Sequence, residues 1–209
     1  MLSQTQSPLF SLLSAELRLL IYTEALSEAN RFLHIVPYRG SKKRQALGHW
    51  QYSEAIGILY ESNYFDFHGA FGLLRFQSFI PAHSWQMLRQ VNLSTVFLTP
   101  IRLCGPNNWI PPEDYDKWDK ACYALSTIKS LRCLTIDMTI WNLHDWKTEN
   151  TVDRDALSRI LVPLGSIHAK KFEVELNVEV PDSLRAVLGQ SEFTIKQSHR
   201  PFGKVFSRY

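Results

Sequence analysis

Three runs of alternating apolar and polar residues divide the second half of the chain at nearly even spacing. They are Thr95-Val96-Phe97-Leu98-Thr99, Leu134-Thr135-Ile136-Asp137-Met138-Thr139-Ile140 and Phe172-Glu173-Val174-Glu175-Leu176-Asn177-Val178-Glu179-Val180. Val96 stands 40 residues before Ile136, and Ile136 stands 38 before Val174. Alternation at period two describes a strand with one buried and one wet face. A helix-like stretch precedes each run and no hairpin signal separates them, which predicts right-handed crossovers and a largely parallel sheet. Because one face of each strand reads as polar, the helices are expected on the other face alone. A parallel sheet covered on both sides would read as unbroken apolar runs. The predicted fold class is α/β, with repeated helix–strand units forming a one-side-covered, open sheet.

This pattern assigns side chains to faces. Strands are predicted at 95–99, 134–140 and 172–180, with Ile136, Met138, Val174, Leu176 and Val178 directed into the core. Thr135, Asp137 and Thr139 then lie beside Glu173, Glu175, Asn177 and Glu179 on a weakly acidic outer face. Asp137, Glu173, Glu175 and Glu179 are the candidate partner contacts there.

Elsewhere the apolar spacing is helical. Ser14 is a suitable N-cap for a helix to about Glu28, whose apolar residues fall in two stripes. Leu17, Leu20, Ile21 and Ala25 form one, and Leu19, Tyr22 and Leu26 the other. Such a helix is either sandwiched in its own fold or shares a stripe with a partner. The candidate partner-binding residues are Leu17, Leu19, Ile21 and Tyr22. Phe32 to Val36 reads as a short strand stopped by Pro37, and Arg39 to Arg44 as a polar loop. A second helix, about Gln45 to Ser62, presents Tyr52, Ala55, Ile56, Leu59 and Tyr60. Tyr64-Phe65-Asp66-Phe67 alternates briefly as a strand. Pro81 opens a helix in the favoured first-turn position, and Cys104 to Pro112 is a loop. The helix after Pro112 carries acids in its first turn and an apolar face of Tyr115, Trp118, Cys122, Leu125 and Ile128. Trp141 to Val152 reads as a polar loop containing Trp146 as well. A helix follows from Asp153 to about Leu164, bent or ended by Pro163. A short helix over Pro181 to Leu188 closes at Gly189, and Phe193-Thr194-Ile195 is a last strand.

At 209 residues and 45% apolar composition the chain is long enough to bury a full core. The three cysteines, Cys104, Cys122 and Cys133, lack the pairing of a disulfide framework or zinc site, which predicts a reducing compartment, cytoplasmic or nuclear. The apolar run from Leu9 to Ile21 is interrupted by Glu16 and Arg18, so neither a membrane span nor a secretory leader is expected. The net charge of +3 is concentrated in Lys196, Arg200, Lys204 and Arg208 and in the cluster Arg39, Lys42, Lys43 and Arg44. These clusters have no interleaved aromatics and match no nucleic-acid motif, so they read as solvated segments.

Catalytic signatures are missing from the sequence. It has no glycine-rich phosphate loop, nucleophile elbow or H-E-x-x-H. The histidines His34, His49, His68, His83, His144, His168 and His199 fall on different predicted elements, and none pairs at metal-ligand spacing. No catalytic residue, cofactor or metal site is expected. The alternative of an enzyme would place its site in the loops Thr99 to Pro112 and Trp141 to Thr151, beyond the carboxyl ends of the strands. Those loops do not supply a nucleophile, a base and an oxyanion donor together.

Residues 7 to 22, SPLFSLLSAELRLLIY, followed by Tyr52-Ser53-Glu54-Ala55-Ile56, Leu59-Tyr60-Glu61-Ser62-Asn63 and Phe65-Asp66-Phe67, resemble a family of uncharacterised fungal proteins with an F-box-like first helix. Two positions depart from that pattern. Ser14 follows Leu13 where proline is usual, and Gly48-His49-Trp50-Gln51 replaces a Thr-Cys-Arg-Gln-type stretch. The resemblance implies an F-box-like helical head over 1–62 and a leucine-rich-repeat-like α/β sheet over 63–200, packed as one unit, with a basic tail at 201–209. It further implies a non-enzymatic interaction module, a substrate adaptor whose head docks on a ubiquitin-ligase adaptor subunit while the sheet face selects a target.

Overall fold

A computed structural model describes residues 12–27, 32–35, 53–99, 113–144, 151–189 and 192–198. The Arg39–Arg44 loop, the early turns of the expected Gln45–Ser62 helix, the Cys104–Pro112 loop, Trp146 and the tail beyond residue 198 lie outside them. Six strands form one all-parallel sheet in sequential order. They are β1 (Phe32–Ile35), β2 (Tyr64–His68), β3 (Gln90–Thr99), β4 (Cys133–Asn142), β5 (Lys171–Leu176) and β6 (Thr194–Gln197). Helix α1 (Ala15–Leu26) precedes β1, and α2 (Ser53–Ser62) precedes β2. Helices α3 (Gly69–Phe79) and α4 (Ala82–Gln86) connect β2 to β3, and α5 (Tyr115–Ser126) connects β3 to β4. Between β4 and β5 runs α6 (Arg154–Leu161), tightened at Pro163 into a 3₁₀ turn (Val162–Ser166), and α7 (Asp182–Leu188) precedes β6.

A sequential parallel sheet whose crossovers share one hand carries its helices on one face. The burial pattern agrees. Phe65, Phe67, Val91, Leu93, Phe97, Leu134, Ile136, Met138, Ile140, Phe172, Val174 and Leu176 all join one core with the helices. Helix α5 packs on this face through Tyr115 and Trp118 against Phe97 and buries Cys122 and Leu125, with Ile128 buried just beyond its end. The fully buried Trp118 ring meets Phe97 edge-on at 5.3 Å, and its indole N–H donates to the Ile160 carbonyl at 2.9 Å. That one side chain therefore ties β3, α5 and α6 while leaving no buried donor unpaired. At the other end, the buried Asn63 amide donates to the carbonyls of Leu26 and Leu59, joining α1 to α2.

Three sequence expectations need correction. Strand β5 ends at Leu176, not at Val180. Asn177 leaves the ladder because its side-chain amide does what the next peptide would do: it accepts from Ile140 N–H at 2.7 Å and donates to Ile140 carbonyl at 3.0 Å. Glu179 consequently lies beyond the strand. Trp141 was expected in a loop but is paired with Leu98 in β4 and buried. Helix α3 was not among the elements expected from the sequence. Strand β3 also begins earlier than Thr95, the alternation Val91, Leu93 extending the ladder back to Gln90.

These assignments rank three substitutions. Leu176→Ala, at a position with no exposed surface, is expected to cost about 2–5 kcal/mol in urea unfolding. Asn177→Ala should cost about 1–3 kcal/mol by stranding Ile140, and Glu175→Ala on the outer face should stay within about 0.5 kcal/mol.

Candidate functional site

Without lateral offset between the paired strands, outward-pointing residues fall into rows across the second face. One row reads His34, Asp66, Asn92, Thr135, Glu173, Thr194, and the next His68, Ser94, Asp137, Glu175, Lys196. Asp137 and the two glutamates are thus brought side by side, as expected from the alternation. The surface they make is of mixed charge and not acidic. Glu173 accepts an ion pair from Lys196 at 2.8 Å and from Lys171 at 3.4 Å. The Lys196 hydrogen bond, with help from Lys171, holds the Glu173 carboxyl below its ordinary range. Nor is the whole face open. Val96, Thr139 and Trp141, on the same side near the carboxyl ends of β3 and β4, are buried. There the apolar pattern becomes continuous and no longer marks a wet side.

At the β1–β2 edge the rows bring together chemistry that sequence spacing did not reveal. Asp66 is buried, 4% exposed, although its row neighbours His34 and Asn92 are not. His34 Nδ1 lies 2.6 Å from Asp66 Oδ2, His68 Nε2 lies 3.8 Å from the same oxygen, and the Asn92 amide donates to Asp66 Oδ1. The two imidazole rings are nearly parallel, 4° apart, with centroids separated by 6.3 Å. The sequence placed these histidines on different elements, and strand pairing brings them together: one potential ligand atom from each of His34, Asp66 and His68 lies within 4.8 Å of the others. A signal was present, because Asp66-x-His68 on a strand places both side chains on one face. The third member, His34, came from a register that no local pattern specifies.

Opposite, on the helix-covered side, a second carboxylate is enclosed. Glu113 is 7% exposed and accepts from the Ala70 N–H at 2.7 Å and the Thr95 hydroxyl at 2.6 Å, both at Oε2. It supplies the anion at the α3 N-terminus, where the preceding His68 makes no side-chain cap. Gly69 permits the approach, having φ +72 and only 3.1 Å between the position of an added Cβ and Glu113 Oε2. Burial pushes the Glu113 carboxyl above its ordinary range, opposed by the Thr95 and Ala70 hydrogen bonds and by Lys117. The Cys122 thiol, also raised by burial, is no nucleophile in this setting.

The partner-binding candidates of the head are placed differently from one another. Leu17, Leu19 and Ile21 are exposed, Tyr22 is half-buried, and none of the residues of α1 is buried. No described helix is long and apolar enough to cross a membrane.

The described residues thus form an all-parallel sheet with a His–Asp–His edge on its polar face. The family described as Domain of unknown function (DUF7730) matches residues 48–197, and the chain belongs to it. The match includes Tyr52-Ser53-Glu54-Ala55-Ile56 and begins after residues 7–22. No curated protein and no solved structure matches the chain.

The Glu113 environment has a definite sign. A carboxyl whose native pKa is raised favours the fold most below the ordinary carboxylate pKa, and that contribution is lost as pH rises through the native value. Stability of the parent minus that of Glu113→Gln should therefore fall as pH rises from about 4 towards neutrality. Melting curves of both proteins across that range check it. A difference that grows with pH would mean the helix N-terminus and Lys117 outweigh burial.

Proposed function

We propose that the chain is a non-enzymatic protein-interaction module, an F-box-like substrate adaptor. In this reading α1 docks on an adaptor subunit of a ubiquitin ligase, and the leucine-rich-repeat-like sheet presents its polar face to a target. The observation that carries it is the state of α1. Leu17, Leu19, Leu20 and Ile21 are 48%, 43%, 65% and 45% exposed, on a helix held to the rest of the fold through Asn63. Single exposed leucines are ordinary on protein surfaces, but Leu17, Leu20 and Ile21 share one stripe of the helix and are exposed together, with Leu19 exposed on the other stripe. Full burial of such a side chain contributes about 1.5–3 kcal/mol, and roughly half of that remains to be gained on docking at these half-exposed positions. The helix is also secured for that role locally. Ser14 accepts from Leu17 N–H at 3.5 Å, and Arg18 donates to the Leu13 carbonyl at 2.8 Å.

The mixed rows of the sheet face suit a partner with both charge signs, positioned through Glu175 and Asp137 and through Lys171 and Lys196. Such a contact is selective by charge arrangement more than by net attraction.

The head is tested with a recombinant ubiquitin-ligase adaptor subunit. Leu17→Asp with Ile21→Asp, or Leu19→Asp with Tyr22→Asp, should abolish its capture and leave the thermal melt nearly unchanged, because Leu17, Leu19 and Ile21 are already exposed and Tyr22 is only half-buried. Ser14→Pro should strengthen capture. Its backbone already has φ −64, within proline's fixed range. Failure of the unaltered chain and of Ser14→Pro to bind, or unfolding by both aspartate pairs, would overturn the reading.

A further inference from the structure

We propose that His34, Asp66 and His68 hold a divalent transition-metal ion at the β1–β2 edge of the sheet. The ligand set follows from the backbone. His34 pairs with Asp66 across the ladder, so both side chains leave the same face, and His68 follows Asp66 by two residues on β2. Two imidazoles and one carboxylate form a donor set for zinc, cobalt, nickel or ferrous iron, and a poor one for calcium or magnesium, which select oxygen ligands.

The distances are those of a site that closes on an ion. Tetrahedral zinc, about 2.0–2.2 Å from each donor, sets neighbouring donors about 3–3.5 Å apart. His34 Nδ1 and His68 Nε2 stand 2.6 and 3.8 Å from Asp66 Oδ2, one on each side of that range. All three ligand atoms lie within 4.8 Å of one another. Small side-chain rotations bring them to a common centre, with the ion taking the place of the direct His34–Asp66 hydrogen bond.

Burial separates this cluster from a chance meeting of surface histidines. The Asp66 side chain is 6% exposed while those of His34 and His68 are 63% and 33% exposed. A carboxyl group set into a sheet face needs hydrogen-bond partners for its oxygens. Asp66 has one oxygen fixed by Asn92 and turns the other toward both imidazoles. Asn92 thus acts as an orienting partner, as the groups behind metal ligands do. The exposure of His34 leaves a path for the ion and an open coordination position beyond the three protein ligands.

Titration of the full chain with Zn²⁺, and with Co²⁺ followed by visible absorption, tests the assignment. One equivalent of Zn²⁺ should bind and raise the melting temperature, and Co²⁺ should show the intense bands of a low-coordinate site. His34→Ala alters an exposed side chain and should fold normally, yet weaken zinc binding by more than the about 10–100-fold that loss of an orienting partner costs. Asn92→Ala should fall within that range. His168→Ala, which removes an exposed histidine paired with Glu192, should leave binding unchanged. Absence of a one-equivalent site below millimolar zinc, or equal loss in His168→Ala and His34→Ala, would overturn the proposal.

Discussion

In a parallel ladder without lateral offset, paired residues share a face, and in this sheet the pairing runs unbroken from Phe65 to Phe172 and from Asp66 to Thr194. A slip of one residue anywhere would turn a strand's apolar set outward. The register therefore fixes both surfaces at once. Phe65, Val91, Leu134 and Phe172 form one row in the core, and the residue after each begins the corresponding row outside. The helices maintain that arrangement from one side only. Trp118 spans β3 and α6, and Glu113 joins α3 to β3 through Ala70 and Thr95.

The parts of this architecture legible in the sequence are those governed by local periodicity. Ile136 to Met138 and Phe172 to Leu176 alternate cleanly, and strand, face and burial all follow. The helix face of Tyr115, Trp118, Cys122, Leu125 and Ile128 was equally plain. Illegible features depend on residues distant in the chain. Helix α3 begins with a glycine and has no local cap, because its anion comes from Glu113, 43 residues away from Ala70. Strand β5 stops early since the Asn177 amide imitates a peptide group, which composition cannot distinguish from a polar residue facing water. His34 meets Asp66 only through strand pairing 32 residues apart. Periodicity reports how each segment is oriented and is silent about which segment lies beside it.

The two candidate surfaces differ in physical kind. Helix α1 offers apolar area on an element with no buried residue, so its contribution to any complex is desolvation and little shape. The His34–Asp66–His68 edge offers direction: polar atoms held by a rigid strand pair, with Asn92 behind them. Neither depends on the other for its geometry, since α1 is tied to α2 through Asn63 and the His–Asp–His edge is built on β1, β2 and β3.

A sheet wound in one direction has no closure condition, and each strand leans only on its neighbours. β3 and β4 pair along ten residues, whereas β1 with β2 and β5 with β6 pair along four each. Resistance to opening is therefore graded along the molecule, greatest at the centre and least at the two outer strands. Amide protons of β4 should exchange only with global unfolding, and those of β1 and β6 through local fraying. The outer strands can consequently change partners or sequence without disturbing the middle, which makes the ends of the sheet the places where related chains can gain or lose a unit.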